Sequence, residues 1–341
     1  MSPRNWQQSP IFRISGVMKS MRNGRRWVAP IRASFSLLTV LLVCSSLPAV
    51  AQLEPAREWD SALYTDNPLV GRIWSSASAG FIDTQQLIQT IEAASYLLLG
   101  EKHDNPDHHA LQLLLLEHVI GQGRANSIAF EMMDSDAQEL LDNISQQKLA
   151  TLSDLKTYLG WDEEAWDWEF YGPLVQTVYA ADVPLTAANI TNATMGRVYS
   201  EETPAAIARV FDADTMQQLN QDIDESHCGL LPKSQFPSMV RVQQTRDYTM
   251  ANSMAIPETG KTTLLIAGNY HVRHDLGVPN YLLARDAQLQ RSDILALSFM
   301  EVQPGEEDPS AYLQQFKSQP AFDYIWFTPA ISDEDYCASL Q

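Results

Sequence analysis

Carboxylate and imidazole side chains are concentrated just after one short apolar segment of this 341-residue chain. Residues 96–99 are apolar, and residues 100–109 then read GEKHDNPDHH, with Glu101 and His103 nearest to the end of the segment. Carboxylates and imidazoles exchange protons near neutral pH, and both ligate divalent metal ions. Glu101 and His103 therefore indicate either acid/base chemistry or a site for a divalent metal ion.

Other apolar segments end in side chains of the same kinds. Glu131 closes the segment SIAFE, Asn189 closes PLTAAN, and His271 follows LLIAGNY. Because open α/β sheets bind ligands at the carboxyl ends of their strands, we expect these side chains to meet in one cleft. The predicted catalytic or metal-binding group is Glu101, His103, Glu131 and His271.

The sequence contains one internal repeat. Residues 97–103 read LLLGEKH and residues 265–271 read LIAGNYH, so each copy has an apolar run, a glycine and, three residues later, a histidine. A proline that can open a helix follows each copy, at Pro106 and Pro279. The repeat predicts two related strand-turn-helix halves, in which the glycine permits a sharp turn and the two histidines face each other across the cleft.

Short apolar runs bounded by turn-forming residues recur along the chain. Most of them lack alternation, which is typical of strands covered by helices on both faces. The runs occupy residues 96–99, 128–130, 184–188, 263–267, 294–299 and 324–327. Helices are expected at residues 84–94, after a cap at Ser135, and from Pro237 to about Ala255. The alternation of strands and helices predicts a layered α/β fold.

The residues after the first cluster have the features of a helix start. Asn105 can cap the helix, Pro106 suits its first position, and Asp107 meets the positive end of the helix dipole. These three residues therefore have a structural explanation. His108 and His109, in the first helical turn, are equally consistent with a solvated surface and with the cleft.

Residues 158–174 are rich in aromatic side chains. They include Tyr158, Trp161, Trp166, Trp168, Phe170 and Tyr171. One interpretation is an amphipathic helix that buries its aromatic residues in the core. The other is an aromatic wall for a flat apolar ligand, since aromatic side chains line such pockets. Tyr171 is a candidate ligand in the second case because a phenolate can bind ferric iron.

The first 51 residues have the three parts of a secretory signal peptide. Seven basic residues and no acidic ones flank a short apolar stretch at 35–47, which leads to the small residues around Ala51. We predict cleavage near Ala51, export to the periplasm, and a single domain over residues 52–341. The alternatives are an uncleaved membrane anchor, for which the stretch is short, and lipidation of Cys44 with attachment to the outer membrane.

The chain after residue 51 is strongly acidic. Residues 52–341 hold 16 Lys and Arg against 42 Asp and Glu, a formal charge of −26. Proteins bind phosphate backbones by neutralising them with Lys and Arg, so this charge argues against nucleic acid as a partner.

Two cysteines remain in the mature chain, Cys228 and Cys337. In an oxidising compartment, two cysteines far apart in the sequence favour a disulfide over two free thiols. We predict that they pair and fix the C-terminal tail to the loop at residues 227–232.

Several motifs together resemble one bacterial protein family. In chain order they are GEKHDNPDHH (100–109), AFEM (129–132), FYGP (170–173), AAN (187–189), HCGLLP (227–232), RDYTMA (246–251) and GNYHVR (268–273). They resemble the ChaN-like haem-binding proteins of bacterial iron uptake, which are relatives of Tiki proteases and erythromycin esterases. The resemblance covers nearly the whole mature chain.

The resemblance implies a layered mixed sheet flanked by helices and built from two related halves. It implies haem bound at a surface pocket, with paired haems between two subunits in the best known member, so haem and a second copy of the chain are the expected partners. Glu101, His103, Glu131 and His271 match positions that hydrolytic relatives use. Tyr270 stands where a small residue is expected, which makes it either a candidate iron ligand or a bulky plug.

Two functions from different classes follow. The leading prediction is an exported haem-binding protein whose iron is ligated by Tyr171, Tyr270 or a histidine. The residues expected around the haem are Tyr171, Tyr270, His271, His103, Asn189 and Arg273, with Arg241 and Arg246 as further cations for the propionates. The rival is a metal-assisted or acid/base hydrolase of an ester or peptide, in which Glu101 or Glu131 activates water.

Overall fold

The computed structural model of the protein describes residues 58–334 and 336–339. The predicted signal peptide, residues 1–51, lies outside the described residues, as does Cys44, the site of the alternative lipidation. Within the described part, no helix combines the length and the hydropathy that crossing a bilayer requires.

A mixed sheet of eight strands forms the centre of the described chain. The strands are β1 (Ile73–Ser75), β2 (Gly80–Ile82), β3 (Tyr96–Glu101), β4 (Ala125–Asp134), β5 (Leu185–Asn189), β6 (Thr262–Gly268), β7 (Ile294–Glu301) and β10 (Tyr324–Thr328), with β8 (Gln315–Phe316) and β9 (Gln319–Pro320) in a separate hairpin. The order in the large sheet is β2-β1-β10-β7-β3-β6-β4-β5. The six predicted runs form its parallel strands, and β1 and β2 add an antiparallel edge.

Helices connect the strands and cover both faces of the sheet. They are α1 (Thr84–Ala93), α2 (Pro106–Gly121), α3 (Gln138–Asp142), α4 (Leu152–Leu159), α5 (Trp168–Ala180), α6 (Asn192–Ser200), α7 (Ala205–Ala208), α8 (Ala213–Ser226), α9 (Phe236–Ser253), α10 (Val278–Arg285) and α11 (Tyr336–Ser339). Side chains of β3 alternate between the two layers. Leu97 and Leu99 pack with α1, α2 and α5, whereas Leu98 packs with α9 and α10. The predicted layered mixed sheet flanked by helices is confirmed.

Helix α2 begins as its sequence predicts. The Asn105 side chain accepts hydrogen bonds from the backbone N–H groups of Asp107 and His108, and Pro106 occupies the first helical position. Helix α9 likewise begins next to Pro237. The expected cap at Ser135 is not formed, because Ser135 opens a short 3₁₀ turn and α3 begins only at Gln138, without a side-chain cap.

The two glycines of the sequence repeat differ in their position relative to the turn. Gly100 is in β3 and Gly268 ends β6, and the two strands are parallel neighbours. A Cβ atom at Gly100 would lie 2.4 Å from the Val272 side chain, and one at Gly268 would lie 2.9 Å from the ring of His103. At both positions neighbouring groups approach the backbone closely, which explains the glycine. Gly268 also ends its strand and begins a turn, in which its carbonyl oxygen accepts the backbone N–H of His271 at 3.0 Å, whereas Gly100 does not end β3.

A disulfide joins Cys228 and Cys337, as predicted. It links the segment that follows α8 to α11 across 109 residues of sequence. The covalent bond fixes the C-terminal helix to this segment.

Candidate functional site

An open cleft lies at the carboxyl ends of β3, β4, β6 and β7, where a parallel sheet places its ligands. Its volume is about 550 Å³, within the range of roughly 300–1,000 Å³ that is usual for small-molecule sites. The polar residues of its lining that bear on function are Glu101, His103, Glu131, Arg246, Tyr270 and His271.

The first carboxylate–imidazole pair consists of Glu101 in β3 and His103 in the turn after it. Glu101 Oε1 lies 2.9 Å from His103 Nδ1 and accepts a hydrogen bond of 2.7 Å from the Tyr171 hydroxyl. The His103 side chain is 45% exposed, whereas that of Glu101 is fully buried. With Nδ1 directed at Glu101, Nε2 is the ring nitrogen of His103 that remains for a ligand in the cleft.

His109 in α2 supports the first pair from behind. Its Nδ1 lies 2.9 Å from Glu101 Oε2, and its Nε2 lies 3.0 Å from the carbonyl oxygen of His103. Burial alone raises the pKa of Glu101, but the charge of His109 and hydrogen bonds from both histidines outweigh burial and lower it to about 2. Glu101 is therefore ionised at neutral pH and holds the His103 ring in one orientation.

The second pair, Glu131 and His271, is more enclosed. His271 Nε2 lies 3.2 Å from Glu131 Oε1, and Nδ1 lies 2.5 Å from Asp247 Oδ1 in α9. The other oxygen of Glu131 accepts the backbone N–H of Gly268 at 2.7 Å. The His271 side chain is only 7% exposed. Both of its ring nitrogens are engaged by carboxylates.

The charges of the second pair stabilise one another. Burial alone lowers the pKa of His271, but Glu131 and Asp247 outweigh burial and raise it to about 10. Burial alone raises the pKa of Glu131, but His271 outweighs burial and lowers it to about 2. The pKa of Asp247 is raised, because burial outweighs the attraction of His271. The result is an imidazolium held as a fixed charge between two acidic side chains.

The four residues predicted to act together do line one cleft. A Cβ atom at Gly268 would lie 2.9 Å from His103 Cε1 and 3.6 Å from Glu131 Oε2, so the two pairs approach the same backbone position. Each imidazole contacts its own carboxylate rather than a point shared by all four residues. Among the described residues, no three His, Cys, Asp or Glu side chains are arranged to hold a metal ion. The predicted divalent metal site therefore gains no support from this geometry.

The two tyrosines predicted as iron ligands occupy different places. Tyr171 in α5 is fully buried behind Glu101 and does not line the cleft. Tyr270 does line it, and its hydroxyl donates to Asp222 Oδ2 at 2.7 Å. Burial and the neighbouring carboxylate raise the pKa of both phenols far above the usual value. Both side chains are therefore neutral hydrogen-bond donors near neutral pH.

Asn189 and Arg273, also predicted near the ligand, do not face the cleft. Asn189 ends β5, one strand beyond β4, and lines a second cavity of about 330 Å³ next to the cleft. The Arg273 guanidinium donates to both oxygens of Asp275, at 2.8 Å each. Asn189 is therefore too far along the sheet to reach the cleft, because β5 is its edge strand. Arg273 is turned away from the cleft by its ion pair with Asp275.

The remaining candidates have structural roles. His108 is buried, with Nδ1 accepting the backbone N–H of Lys102 at 2.9 Å, and burial lowers its pKa to about 3. His108 and His109 are thus both buried, and neither is on a solvated surface. His108 lines the cleft, whereas His109 lies behind Glu101.

The aromatic segment packs mainly on itself and on the core. Trp161 contacts Trp168 and Tyr171, with ring centroids 4.9 and 6.0 Å apart. Trp166 contacts the ring of His103, with centroids 4.9 Å apart, and lines the second cavity. The interpretation of these residues as core therefore fits most of the segment, and Trp166 supports the cleft from the side.

Comparison with known proteins identifies the family of the chain. A family model described as haem-binding uptake, Tiki superfamily, ChaN matches residues 87–282. The chain belongs to this family. The matched region contains both carboxylate–imidazole pairs and the helix that supplies Asp247.

Solved structures show the same fold. ChaN of Campylobacter jejuni, in a structure described as cofacial haem binding, is 25% identical with a TM-score of 0.61, over 74% of this chain and 95% of that chain. An erythromycin esterase mutant in its open conformation is 11% identical with a TM-score of 0.43, over the same shares of the two chains. The second likeness is too distant to bear on function. A comparison with curated proteins gave no match.

Sequence reasoning did not find Asp247 or His109 as partners of the two pairs. Asp247 lies in the motif RDYTMA, and Gln243, one helical turn earlier, also contacts the His271 ring, at 3.1 Å. The spacing of four residues places both on one face of α9. The spacing of four residues could have indicated that Gln243 and Asp247 act together, but the sequence alone does not show which face of α9 packs against His271.

Proposed function

We propose that this protein binds haem in the cleft and serves in the uptake or handling of haem iron outside the cytoplasm. The observation that carries the proposal is membership of the haem-binding uptake family, together with the likeness to ChaN of Campylobacter jejuni. The cleft fits such a ligand. It is open, and the half-buried Met300 provides apolar surface against which a porphyrin can pack, while the nearby Phe299 and Tyr312 are themselves buried.

His103 is the residue best placed to ligate the iron. Its Nε2 faces the cleft, and Glu101 binds Nδ1 on the opposite side of the ring. A carboxylate on the second nitrogen orients a ligating histidine and makes it a stronger base. The ring is also supported by Trp166.

The other candidate ligands are less suitable. Both ring nitrogens of His271 contact carboxylates, so binding iron requires breaking the second pair. Tyr270 faces the cleft, but iron binds the phenolate, and burial beside Asp222 opposes its formation. Tyr171 lies behind Glu101.

Titration of haemin into the purified protein tests the proposal. We expect the Soret band to shift from that of free haemin and to saturate at a defined ratio of haemin to protein. The His103→Ala variant is expected to bind about tenfold or more weakly and to have an altered spectrum that added imidazole restores. His118→Ala is the control, because His118 also contacts a carboxylate, that of Glu92 at 3.2 Å, but it lies in α2 and does not line the cleft.

Two results would contradict this assignment. A spectrum that stays that of free haemin would remove haem binding altogether. A normal Soret shift in His103→Ala, combined with an altered shift in Tyr270→Phe, would show that Tyr270 and not His103 is the iron ligand.

Export and self-association belong to the same proposal. Residues 1–51 have the composition of a signal peptide, so cell fractionation is expected to find a shortened chain that begins near Gln52 in the periplasmic or outer-membrane fraction. Sedimentation with and without haemin tests whether two copies share the ligand. A full-length chain retained in the cytoplasm would contradict export.

A second candidate function is ester or peptide hydrolysis. The observation that favours it is a partly exposed imidazole backed by a buried carboxylate, which is the arrangement of a general base. If the protein is a hydrolase, His103→Ala is expected to lower the rate by about 100-fold or more, and Glu101→Gln to lower it as well. Equal rates for the haem-free protein and both variants across a panel of esters and peptides would remove this candidate.

A further inference from the structure

We propose that Arg246 binds a carboxylate of the ligand in the cleft, so that the site selects porphyrins with free propionates over their esters. This inference rests on the proposed haem binding. It adds a positioning residue and a basis for selectivity, neither of which follows from the carboxylate–imidazole pairs.

Apart from histidine, the cations that line the cleft in the described chain are Lys102 and Arg246. Lys102 Nζ lies 2.9 Å from Asp104 and 3.3 Å from Glu301, so its charge is already matched. Arg246 has no comparable ion pair among the described residues. Its Nη2 lies 3.7 Å from the sulfur of Met195, and its charge also acts on Asp134 without forming an ion pair.

One nitrogen of the Arg246 guanidinium has no hydrogen-bond acceptor. Its Nε is buried and has no hydrogen-bond partner. A buried donor without an acceptor is costly, and a guanidinium binds a carboxylate through two parallel hydrogen bonds. A ligand carboxylate in the cleft can accept hydrogen bonds from the part of the guanidinium that lines it.

The surrounding charges indicate the direction from which the carboxylate enters. Arg246 lies between the cleft and the second cavity and lines both. The acidic residues of the second cavity are Asp134, Asp136 and Asp162. Their charge disfavours an anion on that side. On the cleft side, Glu101 and Glu131 are each paired with histidine, so a carboxylate approaching Arg246 meets less repulsion there.

Two other arginines provide the comparison. The sequence suggested Arg273, Arg241 and Arg246 for this role, and Arg273 is already bound by Asp275 through both oxygens. Arg241 lies in α9 like Arg246 and also has buried nitrogens without acceptors, but it lines neither the cleft nor the second cavity. Arg241 is therefore the matched control.

The test compares haemin with haemin dimethyl ester, titrated by absorption into the full chain under the same conditions. We expect the wild-type protein to bind the ester about tenfold or more weakly than the free acid. Arg246→Gln is expected to weaken haemin binding to the level of the ester and to leave ester binding unchanged. Arg246→Lys is expected to retain part of the preference, and Arg241→Gln to retain all of it.

The outcomes separate this inference from the proposed function. Equal affinities of the wild-type protein for both porphyrins would overturn the role of Arg246 and leave haem binding intact. The absence of a spectral change with either porphyrin would overturn both. A preference kept in Arg246→Gln but lost in Arg241→Gln would overturn the assignment of Arg246. Unchanged ester binding in Arg246→Gln, with the charge-retaining lysine variant beside it, distinguishes a lost anchor from misfolding.

Discussion

The two histidines of the sequence repeat occupy equivalent positions after neighbouring strands, yet their surroundings differ. His103 is 45% exposed and contacts one carboxylate through one ring nitrogen. His271 is 7% exposed and contacts a carboxylate through each nitrogen. The first histidine therefore keeps a nitrogen for a ligand, while the second serves as a fixed positive charge in the wall of the cleft.

The helix packed against each histidine determines the difference. Helix α9 brings Asp247 to His271, whereas α5 brings the neutral hydroxyl of Tyr171 to Glu101, the partner of His103. A repeated strand and turn thus set the position of an imidazole at the cleft. Contacts from other segments decide whether it can bind a ligand.

The largest effect on stability is expected from His271→Ala. This change leaves Glu131 and Asp247 buried without the positive charge between them, and breaking a buried ion pair costs about 3–5 kcal/mol. Denaturant unfolding measures the loss. His103→Ala is the matched change at the equivalent position, and we expect it to cost about 1 kcal/mol or less because the ring is partly exposed. Equal losses in the free energy of unfolding would show that the two histidines do not differ in their contribution to stability.

A smaller effect is expected from Tyr171→Phe. The change removes the hydroxyl that donates to buried Glu101, and the loss of a hydrogen bond to a buried charged group costs about 1–3 kcal/mol. Tyr270→Phe is the comparison, since its hydroxyl donates to the less buried Asp222. The free energy of unfolding should fall more for Tyr171→Phe. The reverse order would show that the first pair does not depend on α5.

The pH dependence of stability should also distinguish the two histidines. The pKa of His271 is about 10 in the folded protein, above the 6.5 of a free histidine, so its contribution is complete below pH 6.5 and is lost as pH rises towards 10. Burial alone lowers the pKa of His103, but its hydrogen bond to Glu101 and the charges of Glu131 and Glu101 together outweigh burial and raise it. Exposure of the ring to solvent reduces the effect. Unfolding of wild type, His271→Gln and His103→Gln between pH 6 and 10 measures both contributions. We expect a clearly shallower decline only in His271→Gln.

Much of the site was predictable because it lies at strand ends. Apolar runs that end in Glu101, Glu131 and the turn before His271 predict adjacent parallel strands, and the carboxyl ends of such strands meet at one edge. The convergence of the two pairs follows from this rule. The cap of α2 was predictable for a similar reason, since it depends on Asn105 and residues next to it in sequence.

The contacts that set each residue's role were not predictable in this way. Asp247 reaches His271 only because one face of α9 packs against β5 and β4, and sequence periodicity does not select those neighbours. Arg273 was expected to face the ligand, but Asp275, two residues away, binds its guanidinium. The partner that a charged side chain binds depends on which acceptor is nearest to it in the folded chain. That information arises from tertiary packing.

The central claim is that His103 offers a free ring nitrogen to the ligand and His271 does not. Nitrogen NMR of protein labelled in its histidine side chains, with and without gallium protoporphyrin as a diamagnetic substitute for haemin, tests it directly. We predict that the Nε2 signal of His103 moves to the position of a metal-bound nitrogen, while both nitrogens of His271 keep the shifts of a protonated ring. A metal-bound signal from His271, or a His103 signal unchanged at saturating porphyrin, would contradict the account.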